Sequence, residues 1–107
     1  MILELRVYEV APGRMAEMHQ RFKDHTLRIF KKHGFEPVLF CTSEIGETSD
    51  KLTYILQFEN LRHREEAWAA FHADEEWLQA KAGFSKEELV VRFRSTILKP
   101  TDYSPLR

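Results

Sequence analysis

Apolar and polar positions alternate from Ile2 to Val10, the period of a half-buried strand. Pro12-Gly13 interrupts that pattern with turn chemistry. From Arg14 to His33 the apolar residues Met15, Met18, Phe22 and Ile29 recur at spacings of three, four and seven, one stripe of a helix. Gly34 follows, suited to the left-handed position just beyond a helix end. The segments "FEPVLFCTSEIG" and "KLTYILQFE" are rich in strand formers, and the polar stretch Glu47 to Asp50 between them predicts a hairpin. Asn60 is placed to cap a second helix, "LRHREEAWAAFH", whose inner stripe reads Leu61, Trp68 and Phe71. Asp74 restarts a short helix with Glu75 and Glu76 in its first turn, and Ser85-x-x-Glu88 is a third, weaker capping signal. "LVVRFRSTILKP" predicts the last strand, which Pro100 ends.

The resulting order is β-α-β-β-α-β, an α+β fold of the ferredoxin-like type with a four-stranded antiparallel sheet. It occupies residues 1–100 as one domain, and 101–107 read as a polar tail. Side chains two apart share a face of a strand. Leu3, Leu5, Val7, Leu52, Tyr54, Leu56, Phe58, Val91 and Phe93 are expected beneath the helices. Glu4, Arg6, Tyr8, Ile55, Arg92 and Arg94 are expected on the opposite face, with Thr53, Gln57 and Glu59. Two readings of that mixed face stay open. It is either solvated and laced with weak cross-strand ion pairs, or packed against a symmetry mate.

Composition narrows the functional classes. The 107 residues carry 16 Lys and Arg against 17 Asp and Glu, a net charge of -1 that argues against nucleic acid as a partner. Eight Phe, three Tyr and two Trp are a heavy aromatic load for one small core, which points to further burial in a partner subunit. Cys41 is the single cysteine, so no internal disulfide forms, and a reducing, cytoplasmic setting is expected. No signal peptide pattern opens the chain, and no apolar run is long enough to cross a bilayer.

The pattern E-x-R-x-Y-x-x-x-P-G in "ELRVYEVAPG" resembles the start of NIPSNAP-family domains. So do "KHGF" at Lys32 to Phe35, "TSEIG" at Thr42 to Gly46, and "ENLRHREEAWAAFHADEEW" at Glu59 to Trp77. The resemblance runs from about Leu3 to the last strand, with one departure, Phe40-Cys41, where the family more often has a glycine beside an aromatic. It implies a dimeric α+β barrel in which two ferredoxin-like subunits face each other through their sheets, and hence a homodimer. Relatives in the wider fold include cofactor-free monooxygenases, haem-degrading enzymes and isomerases, an analogy of fold only.

His25 is the leading candidate for chemistry. It lies between Phe22 and Ile29 on the predicted inner stripe, so its ring is expected to face the sheet. One reading makes it a core-edge histidine bonded to Tyr54 or backbone; the other makes it an acid or base at the mouth of a pocket. That pocket, between sheet and helices, would be lined by Phe22, Tyr54, Trp68, Phe71 and Trp77 and take a small apolar or aromatic molecule. His63-Arg64-Glu65, in the first turn of the second helix, is expected to cap and pair locally. The five histidines show no metal-ligand spacing, and Cys41 reads as a buried strand thiol without a base. No cofactor is expected. The functional readings are a ligand-binding homodimer of uncharacterised role or, alternatively, a cofactor-free monooxygenase or isomerase using His25.

Overall fold

The computed structural model describes residues 1–46, 49–83 and 88–107. The chain runs through β1 (Ile2–Val10), α1 (Met15–Arg21), a π-helical turn (Phe22–Thr26), α2 (Leu27–Lys32), β2 (Glu36–Thr42), β3 (Lys51–Phe58), α3 (Leu61–Ala73), α4 (Glu75–Ala82) and β4 (Val90–Leu98). The punctuation acts as expected. Gly13 and Gly34 sit at φ +78° and +77°, values that side chains with a Cβ rarely adopt. The Asn60 side chain accepts the His63 amide at 2.8 Å, and Asp74 accepts the Trp77 amide at 3.1 Å, capping α3 and α4. The third capping signal begins at Ser85, which lies outside the described residues.

The strands form one antiparallel sheet in the order β2-β3-β1-β4, so the fold is α+β and close to βαββαβ. This sheet is open. Closure requires the outer strands to pair, and β2 and β4 stand at opposite edges. The dimeric α+β barrel implied by the resemblance is therefore corrected to an open four-stranded sheet.

The register brings a second correction. Glu4, Arg6 and Tyr8 pair with Leu56, Tyr54 and Leu52. Directly opposed residues share a face, so these three lie on the helix-covered side and not on a partner-facing one. Leu3, Leu5 and Val7 point the other way, beside Gln57, Ile55 and Thr53 of β3. Arg94 pairs with Val7 and Arg92 with Glu9, which keeps both arginines on the uncovered face with Ile55. Polar side chains can occupy the inner row because they satisfy one another and receive donors from α3, as the site geometry shows.

The core lies between the inner face and the helices. Ile29, Tyr54 and Leu56 are wholly buried there, with Met18, Phe30 and Phe58 nearly so. Each such side chain contributes on the order of 1.5–3 kcal/mol through burial. Leu61, expected on the inner stripe of α3, is exposed; Ala67 and Phe71 are the buried positions of that helix.

Candidate functional site

β1 carries Glu4, Arg6 and Tyr8 inward at alternate positions. Glu4 is completely buried. Its Oε1 accepts from Arg64 Nε and Trp68 Nε1, each at 2.9 Å. Its Oε2 accepts from Arg6 Nη1 at 2.9 Å, Ser95 Oγ at 2.6 Å and Arg64 Nη2 at 3.2 Å. Burial opposes ionisation of Glu4, but the donors from Arg64, Ser95, Trp68 and Arg6 outweigh it and lower its pKa to about 2. The carboxylate is thus anionic and fully partnered.

Arg6 continues the chain of bonds. Its Nε donates to the Tyr54 hydroxyl at 2.8 Å and its Nη2 to the Tyr8 hydroxyl at 3.2 Å. The two hydroxyls lie 2.7 Å apart, closing a triangle. The guanidinium carbon sits 4.5 Å from the Trp68 ring centroid and 4.9 Å from that of Phe93. Such cation–π contacts are worth roughly 0.5–2 kcal/mol each. Burial and the neighbouring Tyr8 push the Tyr54 phenol well above its usual value against the opposing pull of Arg6, so it stays neutral.

A cavity of about 320 Å³ opens beside this triangle. Its apolar wall includes Phe22, Phe30, Trp68, Phe71, Trp77 and Phe93, drawn from the first helical run, α3, α4 and β4. Its polar wall includes Arg6, Tyr8, Thr26 and Arg21, with the exposed His72 and Lys81. Among the described lining residues none is acidic.

The first helical run reaches that space partly through its π-helical turn, whose Phe22 and Thr26 line it. Phe22, Thr26, Ile29 and Phe30 are the buried positions of this run, with Thr26 four residues after Phe22 and three before Ile29, while His25 lies at the edge of that stripe. The Thr26 hydroxyl is buried and finds no hydrogen-bond partner among the described residues.

Of the residues predicted to share a pocket, Phe22, Trp68, Phe71 and Trp77 meet at this cavity. Tyr54 is wholly buried and is joined to it through its bonds to Arg6 and Tyr8. His25 is elsewhere. It lines a separate depression with Glu17, Gln20 and Asp24, and its Nδ1 lies 4.0 Å from Glu76. The expectation of His25 beside Tyr54 at the pocket mouth is corrected accordingly: Thr26, not His25, is the buried polar position between Phe22 and Ile29. Cys41 is exposed rather than buried, pairing opposite Thr53 on edge strand β2.

His63 ties the start of α3 to the preceding loop. Its Nδ1 accepts the Glu59 amide at 3.0 Å, so Nε2 carries the proton it donates to the Gly34 carbonyl at 3.1 Å. Ser95 and Thr26 are site residues that the sequence reading missed; Phe93 lies on the covered face as expected, and Arg64, expected to pair locally, also reaches Glu4. The visible trace was Arg64 and Trp68, four apart on one helix, each offering a donor to the same side. Among the described residues no cluster of metal-ligating side chains occurs, and no helix is long and apolar enough to cross a membrane.

The same architecture recurs in solved structures. A NIPSNAP family protein of unknown function from Agrobacterium tumefaciens is 30% identical, with a TM-score of 0.88, over 100% of this chain and 94% of its own. An uncharacterised NIPSNAP-like domain protein from Burkholderia xenovorans is 25% identical, with a TM-score of 0.84, over 97% of this chain and 88% of its own. A candidate antibiotic biosynthesis monooxygenase from Deinococcus radiodurans, 15% identical with a TM-score of 0.59 over 100% of this chain and 99% of its own, shares the fold alone. No curated protein matches. The NIPSNAP family profile matches residues 3–105, which include both the Glu4–Arg64 network and the aromatic cavity, and the chain belongs to the NIPSNAP family.

Proposed function

We propose that this protein binds a small, largely aromatic molecule in the cavity between sheet and helices. One observation carries the reading: about 320 Å³ of space is walled by aromatic rings yet reached by the polar groups of Arg6, Tyr8 and Thr26. Ligand sites combine an apolar lining with a few fixed polar groups in just this way, and their volumes begin at about 300 Å³. The cavity therefore suits a ligand of about one or two fused rings. Titration with 2-naphthamide tests the reading. Amide and indole NMR shifts are expected to move at Phe22, Phe71 and Trp77, and an absence of shifts there, or shifts confined elsewhere, overturns it. Acid–base catalysis by His25 finds no support in its position beside Glu76.

The uncovered sheet face supports a second inference, self-association as a homodimer. Leu3, Leu5, Val7 and Ile55 form an apolar strip there, flanked by Leu39 at 42% and Leu98 at 38% exposure. Exposed apolar patches of this kind mark interaction surfaces. Sedimentation at micromolar concentration is expected to give the mass of two chains and Leu5→Arg that of one. A wild-type chain that sediments singly overturns the inference.

A further inference from the structure

We infer that the ligand carries an anionic oxygen, and that its class is the aromatic carboxylates, seated against Tyr8 and Thr26 with Arg6 behind them. The inference rests on the cavity being a ligand site. It starts from counting protons. Tyr8 and Tyr54 have one hydroxyl proton each, and each oxygen already accepts from Arg6. One proton makes the bond between them. The other must go elsewhere. Tyr54 is wholly buried, and among the described residues its polar bonds are to Arg6 and Tyr8, so a second proton left on it would have no acceptor there. The arrangement without an orphaned buried donor has Tyr54 donating to Tyr8. The Tyr8 proton then points away from the triangle, toward the cavity that Tyr8 lines.

Thr26 adds an independent observation. Its residue is only 4% exposed, its hydroxyl has no partner among the described residues, and it lines the same cavity. A buried hydroxyl without a bond is costly and is the kind of group a ligand completes. Charge sets the sign of what would complete it. Arg6, Arg21 and Lys81 line the space, and none of the described lining residues is a carboxylate. Glu4, the buried acid bonded to Arg6, is saturated by five donors and leaves Arg6 facing the two phenols. A cationic ligand would meet like charge, and a neutral hydrocarbon would leave two O–H groups unsatisfied. An aromatic carboxylate fills the apolar wall with its ring and accepts from the hydroxyls with its oxygens.

Calorimetric titration with 2-naphthoate and 2-naphthamide, which differ in charge but little in shape, decides the matter. The wild-type protein is expected to bind the carboxylate at least about tenfold more tightly, as hydrogen bonds to a charged group are worth about that factor or more. Tyr8→Phe keeps the ring and removes the proton, and is expected to cut the preference by about tenfold. Thr26→Val, which keeps the shape, is expected to reduce it as well and serves if Tyr8→Phe does not fold. Equal affinity for the two probes leaves the cavity a binding site and overturns this inference alone. A preference that survives unchanged in both variants also overturns it. Failure of both probes to bind the wild-type protein overturns the ligand reading together with the inference.

Discussion

Glu4 and Tyr8 sit on the same strand and the same face, yet they end two very different polar neighbourhoods. At Glu4 the donors and acceptors balance: both carboxylate oxygens are filled, by Arg6, Arg64, Trp68 and Ser95. At Tyr8 they do not balance. The triangle with Arg6 and Tyr54 leaves one hydroxyl proton over, and Thr26 across the cavity adds another unmatched hydroxyl. The contrast separates a structural polar network from a binding one within a single small core. A saturated buried network stabilises and specifies the fold, whereas a surplus of one kind of bonding group marks a place prepared for something else.

The largest expected effect comes from breaking the balanced end. Glu4→Ala leaves Arg6 and Arg64 facing a buried gap and should cost roughly 3–5 kcal/mol in urea unfolding. Next is the pH response. Glu4 titrates at about 2 in the folded chain against an ordinary 4.5, so the unfolded chain binds more protons and stability rises with pH across that window. Its contribution, about 3 kcal/mol, is complete above pH 4.5 and fades as pH falls toward 2. Glu4→Gln should remove that share of the slope. Asp74, lowered by Lys32 and His33, and Glu76, lowered by Arg28, act in the same direction.

At the unbalanced end the sign reverses. Thr26→Val removes a buried hydroxyl that has no partner among the described residues, and should raise the stability of the ligand-free protein by about 1 kcal/mol, measured in the same urea titration. A loss there would place Thr26 among the structural groups and erase the distinction. The smallest effect belongs to His25→Ala, whose ring is partly exposed and outside the cavity. Its stability should change by no more than about 0.5 kcal/mol, with 2-naphthoate affinity unaltered by calorimetry.

Much of the fold was legible in the sequence for local reasons. Gly13 and Gly34, Asn60 and Asp74 act on their immediate neighbours, and such signals survive folding. The facing of β1 was not legible. Alternation shows that two faces differ, and the usual rule sends Leu3, Leu5 and Val7 inward. Here the polar row goes inward because Arg64, Trp68 and Ser95 wait for Glu4 from two other elements, a match that depends on tertiary pairing. The same limit hid Thr26. Helical spacing admits both His25 and Thr26 between Phe22 and Ile29, and the apolar stripe alone does not choose between them.

The spacing from Phe22 to Ile29 makes the first helical run a combination dial. Whichever residue count lies between Phe22 and Ile29 selects the side chain shown to the chamber, here an alcohol in place of the imidazole one step earlier. Shortening this stretch by one residue, with no new side chain introduced, would redraw the chemistry of the chamber wall while leaving the aromatic shell in place.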